Sequence, residues 1–210
     1  MARPRSYHDP CGIARALDLV GERWALLIVR ELVFGPKRFT DLRRGLAGAS
    51  PNVLSQRLRE LVGSGIVRRR TLGAATYELT AWGRELHPIL LQLGRWGARS
   101  PARPQAELSV DALMVALEST FDAGAASGMC AIYELRLGDE RFAIDVDHGT
   151  IEIARGQPRR PDAVIDAEPA ILRAVVFGDR ALENAPIELS GDRRAAKAFF
   201  RLFSRPASGV

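Results

Sequence analysis

Asn52, Ser55, Gln56 and Arg59 stand close together in the stretch SPNVLSQRLRELVG, residues 50–63. Two amides, a hydroxyl and a guanidinium are side chains whose donors and acceptors match base edges in a DNA major groove. At about 100° per residue they fall in one arc of a helix, while Leu54, Leu58, Leu61 and Val62 fall on the other side. One face can pack and the other can read. Guanidinium groups suited to phosphate surround this face: Arg43 and Arg44 before it, Arg57 within it, and the run Arg68-Arg69-Arg70 after it. Such groups give affinity and register rather than sequence choice. Ser50 joins the backbone-contacting set at the helix start.

The flanking elements are those that would hold such a helix against DNA. Ser50 is an N-cap and Pro51 suits the first helical position, where no amide hydrogen is needed. Residues 39–46 predict a short helix capped by Thr40, joined to the next by Ala47-Gly48-Ala49. Residues 66–70 and 76–80 predict two strands around a glycine-containing loop. Helix, turn, helix and hairpin make a winged helix-turn-helix. Ahead of it, residues 11–20 predict a short amphipathic helix, and residues 22–34 predict a buried central helix, apolar almost all round. Behind it, residues 81–99 predict a helix with Leu86, Ile89, Leu90, Leu93 and Trp96 on one stripe and Pro88 as a possible kink. That stripe calls for a partner, either a second copy of the chain or the rest of this one.

Charge divides the 210 residues in the same way. Residues 1–104 carry 18 Lys and Arg against 8 Asp and Glu, whereas residues 105–210 carry 12 against 17. Only the first half has the electrostatic character of a polyanion binder, which favours double-stranded DNA as partner and argues against a wing used only for assembly. The longest uncharged apolar runs, such as residues 24–29, are too short to cross a bilayer, and no secretory pattern precedes that run, so the expected location is cytoplasmic. Cys11 and Cys130 are the only cysteines, and His8, His87 and His148 stand in separate contexts. No metal site, cofactor motif, nucleophile–base pair or phosphate loop is legible, so neither a cofactor nor an enzyme is expected.

Cys11, Gly21-Glu22-Arg23-Trp24, Gly35-x-x-Arg38-Phe39-x-x-Leu42, Leu54-Ser55-x-Arg57-Leu58-x-x-Leu61 and Tyr77-x-Leu79-Thr80-x-x-Gly83 together resemble HxlR-type winged-helix transcription regulators over about residues 8–100. Glu22-Arg23 departs from the Gly-Lys usual there. The resemblance implies a homodimeric DNA-binding regulator that dimerises through the region of residues 81–99. It also points to Cys11, a thiol at a helix start with Arg15 one turn on, as a possible redox sensor, set against the alternative of a small packing residue.

A proline-rich break at residues 100–104 predicts a boundary between a first domain, residues 1–100, and a second, residues 107–205. The second predicts an α+β fold with an antiparallel sheet: a helix, a three-strand meander, a fourth strand, a helix, a fifth strand and a last helix. Pro161-Asp162-Ala163 before a strand, Gly178 after a helix and Leu189-Ser190-Gly191-Asp192 resemble the sterol-carrier-protein-like fold. That resemblance implies an apolar cavity for a hydrophobic small-molecule effector, lined by Phe121, Phe142, Phe177, Phe199, Phe200 and Phe203, unless these rings simply fill the core. The rival reading is a lipid-binding or lipid-modifying protein whose winged domain serves mainly assembly.

Overall fold

Leucines spaced three and four apart on residues 51–63 need an apolar partner, and the helix over residues 25–32 with its neighbours supplies it. The computed structural model describes residues 6–71, 73–100 and 108–203, in two units, one up to Leu90 and one from Leu91. The first contains α1 (Gly12–Val20), α2 (Ala25–Leu32), β1 (Lys37–Arg38), α3 (Phe39–Gly45), α4 (Pro51–Gly63), β2 (Val67–Arg70), β3 (Thr76–Leu79), α5 (Ala81–Arg84) and the start of α6 (Leu86–Gly97). Ile28, Val29 and Leu32 of α2 meet Leu42, Leu54, Leu58, Leu61, Val67, Leu79 and Leu90 in one buried cluster. β1, β3 and β2 form a three-stranded antiparallel sheet in which Val67 faces Leu79 and Arg70 faces Thr76.

Several expectations shift in detail. The central helix starts at Ala25 rather than residue 22, because Trp24 adopts a left-handed conformation with φ 80°. Its indole lies against Gly48, where a Cβ would come within 2.8 Å of the ring. α2 is also less apolar than it reads: Glu31 is fully buried and accepts from Arg30 Nη2 at 2.9 Å and Lys37 Nζ at 3.0 Å. A buried carboxylate needs such partners, and here it ties the helix to β1. α3 is capped by the Asp41 carboxylate, which accepts from Arg38 N at 3.3 Å, rather than by Thr40. The single helix expected over residues 81–99 is two, α5 and α6, broken at Glu85. Pro88 has no amide hydrogen for the Arg84 carbonyl, so a continuous helix would lose a bond there. Val62, placed on the packed face by the sequence, is exposed.

The second unit takes in the end of α6, where Arg95 Nε donates to Ser119 O at 2.9 Å, and then α7 (Val110–Thr120), β4 (Cys130–Leu137), β5 (Glu140–Asp147), β6 (Thr150–Arg155), β7 (Ala163–Asp166), α8 (Pro169–Val176), β8 (Glu188–Gly191) and α9 (Arg193–Phe199). The division falls between Leu90 and Leu91; of the proline-rich stretch, residues 101–104 lie outside the described residues. Ser109 caps α7 by accepting from Ala112 N, and Asp192 caps α9 by accepting from Arg194 N. The sheet order is β6-β5-β4-β7-β8. The meander is antiparallel as expected, but β7 pairs with β4 in parallel, Tyr133 facing Ala163, so the five-stranded sheet is mixed. α7 packs on β6 and α8, and α9 on β7 and β8. Phe199 is the hub of an aromatic cluster, with ring centroids 5.2 Å from Tyr133, 5.5 Å from Phe200 and 4.9 Å from Phe203, which in turn meets Phe121. Phe142 is buried with the Arg155 guanidinium over its face at 4.7 Å, and Phe177 closes α8.

Candidate nucleic-acid interface

The turn between α3 and α4 is set by its apolar side. Leu42, Leu46 and Ala49 are buried, Leu46 N donates to Leu42 O, and Ala49 N donates to Leu46 O at 2.8 Å. Ser50 Oγ then accepts from Val53 N at 3.4 Å, and Pro51 opens α4. The helix is therefore aimed by its leucines, with Leu54, Leu58 and Leu61 inward. Asn52, Gln56 and Arg59 are exposed on the opposite side, and Ser55 is half-buried beside them.

Two carboxylates that the sequence reading left out act on this face. Gln56 Nε2 donates to Glu60 Oε1 at 3.1 Å, and Arg57 Nη1 lies 2.6 Å from Glu60 Oε2 and 3.5 Å from Glu22 Oε2. The spacing of Gln56, Arg57 and Glu60 carried a signal, since side chains three or four apart on a helix are neighbours. Glu22, from the segment before α2, carried none. Arg57 is the one member of the expected phosphate set that is not exposed: its side chain is 13% exposed and spans two carboxylates. It joins α4 to the segment before α2. Arg43 and Arg44 are exposed, with Arg44 Nη1 3.7 Å from Asp41.

The wing is held close to α5. Thr80 N donates to Ile66 O, Thr80 Oγ1 donates to Gly65 O at 2.7 Å and accepts from Gly83 N at 3.0 Å. At Gly83 a Cβ would lie 2.1 Å from Ile66 O, so only glycine permits this approach. On β2 the three arginines alternate faces. Arg68 Nε lies 2.5 Å from Glu78 Oε1 and Arg70 Nη1 3.6 Å from Glu78 Oε2, while Arg69 faces Tyr77. The hydrogen bond from Arg68, with the charges of Arg68 and Arg70, holds the Glu78 carboxyl below its usual range. All three arginines are exposed.

Cys11 is exposed just before α1, and its amide donates to Asp9 Oδ1 at 2.8 Å. Ile13 and Leu17 on α1, and Ile89, Leu93 and Trp96 on α6, are apolar and exposed, Ile13 and Trp96 each at 73%. No helix among the described residues is long and apolar enough to cross a membrane.

The model of the HxlR-like helix-turn-helix family matches residues 19–104. A helix-turn-helix transcriptional regulator of Mycobacterium tuberculosis is 43% identical over 97 residues, which are 44% of this chain and 61% of that protein. The chain thus spans about three fifths of that relative's length. YybR, a regulator of the same type from Bacillus subtilis, is 35% identical over 93 residues, 42% of this chain and 74% of its own. Among solved structures, the quinone-bound YodB of Bacillus subtilis is 33% identical, covering 40% of this chain and 93% of that one with a TM-score of 0.37. With the helix-turn-helix, the wing, the family model and the two related regulators in agreement, the chain belongs to the HxlR-like helix-turn-helix family of DNA-binding transcription regulators.

Proposed function

We propose that the chain works as a homodimer that reads a two-fold operator through α4 and its wing, and that its second unit senses a hydrophobic small molecule. The observation that carries the reading role is the exposed row Asn52, Gln56 and Arg59, backed by three buried leucines. These side chains, with Ser55, meet base edges, and Arg43, Arg44, Ser50, Arg68, Arg69 and Arg70 meet phosphates. Arg57 serves them by fixing α4. Breaking the Gln56–Glu60 hydrogen bond frees the Gln56 amide for a base.

Dimerisation rests on exposed apolar side chains at helical spacing: Ile13 and Leu17 on α1, and Ile89, Leu93 and Trp96 on α6. A two-fold pairing of identical faces places two reading helices about one DNA turn apart. The sensing role rests on the aromatic cluster around Phe199 and on Tyr133, whose buried hydroxyl has no hydrogen-bond partner among the described residues. An apolar ligand with one polar atom would answer that hydroxyl. The unit would then be of the sterol-carrier-protein type that its strand pattern resembles. Cys11, exposed before α1, is the place where an oxidant would act on the first unit.

Sedimentation and gel-shift titration of the full chain test this together. The expected result is a dimer at micromolar concentration that protects a two-fold site upstream of a regulated gene, with affinity altered by extracted cell lipids. Leu93→Glu with Trp96→Glu should yield monomers with weakened operator binding. Wild-type monomers that bind one half-site alone would contradict the dimer.

A further inference from the structure

Asp147 ends β5 and Thr150 opens β6, so His148 and Gly149 form a two-residue turn with φ 44° and 89°. Positive φ at both positions is the type I′ geometry that suits right-twisted hairpins. The turn is anchored: His148 N donates to Met129 O at 2.8 Å, and Thr150 Oγ1 donates to Asp147 O at 2.7 Å. In the β4–β5 ladder, Cys130 is the register partner of Asp147. Turn and register together bring three different donor atoms to one place. Cys130 Sγ lies 3.2 Å from Asp147 Oδ1 and 3.1 Å from His148 Nδ1, and that nitrogen lies 2.6 Å from Asp147 Oδ1. All three side chains are exposed. The sequence shows no Cys/His cluster and leaves His148 standing alone; the hairpin register brings it to Cys130.

The distances argue against a nucleophilic triad. In such a relay the carboxylate and the thiol address opposite imidazole nitrogens. Here both converge on Nδ1, and Nε2 is 3.7 Å from the sulfur. Convergence of thiol, imidazole and carboxylate is instead the donor set of zinc and its neighbours. With bonds of about 2.0–2.3 Å, a tetrahedral ion holds its donors roughly 3.3–3.6 Å apart, so the three side chains need to open by less than about 1 Å. Without the ion, the thiol donates to Asp147 Oδ1. The Asp147 carboxylate also favours a cation at this spot.

We propose that Cys130, Asp147 and His148 form a binding site for one divalent transition-metal ion, zinc foremost, with the remaining position left to water. On binding, the thiol releases its proton to solvent, neutral imidazole coordinates through Nδ1, the carboxylate through Oδ1, and no electrons are transferred. The ion pins the start of β4 to the β5–β6 turn. It takes ligands from residues that have no part in DNA reading.

The test is cobalt(II) titration of the full chain, stripped with a chelator, in a Cys11→Ser background so that any thiolate signal comes from Cys130. The expected result is one ion per chain, with a thiolate-to-cobalt charge-transfer band and tetrahedral d–d bands that zinc abolishes. Cys130→Ser should remove the charge-transfer band. His148→Asn, which keeps a residue tolerant of positive φ, should weaken binding about tenfold or more. Circular dichroism of the apo variants, unchanged from the parent, would show that the fold is intact. No charge-transfer band, a band that survives Cys130→Ser, or an unchanged affinity in His148→Asn overturns the proposal.

Discussion

Two side chains show how a residue's neighbours decide its role. Arg57 sits on α4, the proposed reading helix, yet its charge is directed to Glu22 and Glu60. Arg57→Ala should therefore lower folding stability by roughly 1–3 kcal/mol, because it removes charge-assisted bonds at a largely buried side chain, while the salt dependence of DNA binding stays the same. Arg43→Ala should do the reverse, cutting the salt slope by about one unit with stability unchanged. Denaturant titration beside a salt series separates the two, and a lost slope in Arg57→Ala would return that residue to the phosphates. Tyr133 presents the opposite case, a buried hydroxyl with no partner among the described residues, whose pKa is pushed up to about 12 first by burial and then by Asp162 and Asp192. An unsatisfied buried hydroxyl is costly, so Tyr133→Phe should raise stability by about 1 kcal/mol. A fall in melting temperature would mean that the hydroxyl is satisfied after all.

At the scale of elements, the wing depends on one carboxylate serving two arginines. Glu78 has its folded pKa depressed below the ordinary 4.5, mainly by the Arg68 hydrogen bond. Its contribution is therefore complete above about that pH and is lost as pH falls through the lower folded value. Amide exchange in β2 and β3 should accelerate below pH 4.5, and Glu78→Gln should remove that step. An identical acid profile in the variant would place the loss elsewhere. Much of this element plan was legible in the sequence. Ser50-Pro51 marked the start of α4, leucine spacing gave its buried face, and glycine-containing loops marked the hairpins. Local rules fail where tertiary contacts choose. Trp24 takes a left-handed backbone as its ring packs on Gly48, and Glu31 is buried because Arg30 and Lys37 reach it. Parallel pairing of β7 with β4 depends on a crossover that alternation cannot reveal. The same limit hid Cys130 from His148, since pairing register rather than proximity in sequence joins them.

Across the whole molecule, the first 104 residues carry the basic excess, 18 cationic side chains against 8 anionic, and the remainder is acidic. That field alone draws any duplex, and it explains affinity without explaining choice. On the proposed reading, choice rests on α4, and the ratio of operator to scrambled DNA isolates it because the phosphate contribution cancels. The most direct measurement is that ratio for the full chain and for Arg59→Ala and Gln56→Ala at one fixed salt concentration. Each substitution should cost about 1–3 kcal/mol on the operator and leave binding to scrambled DNA nearly unchanged. Equal losses on both DNAs would show that the exposed face of α4 holds the backbone and reads no bases.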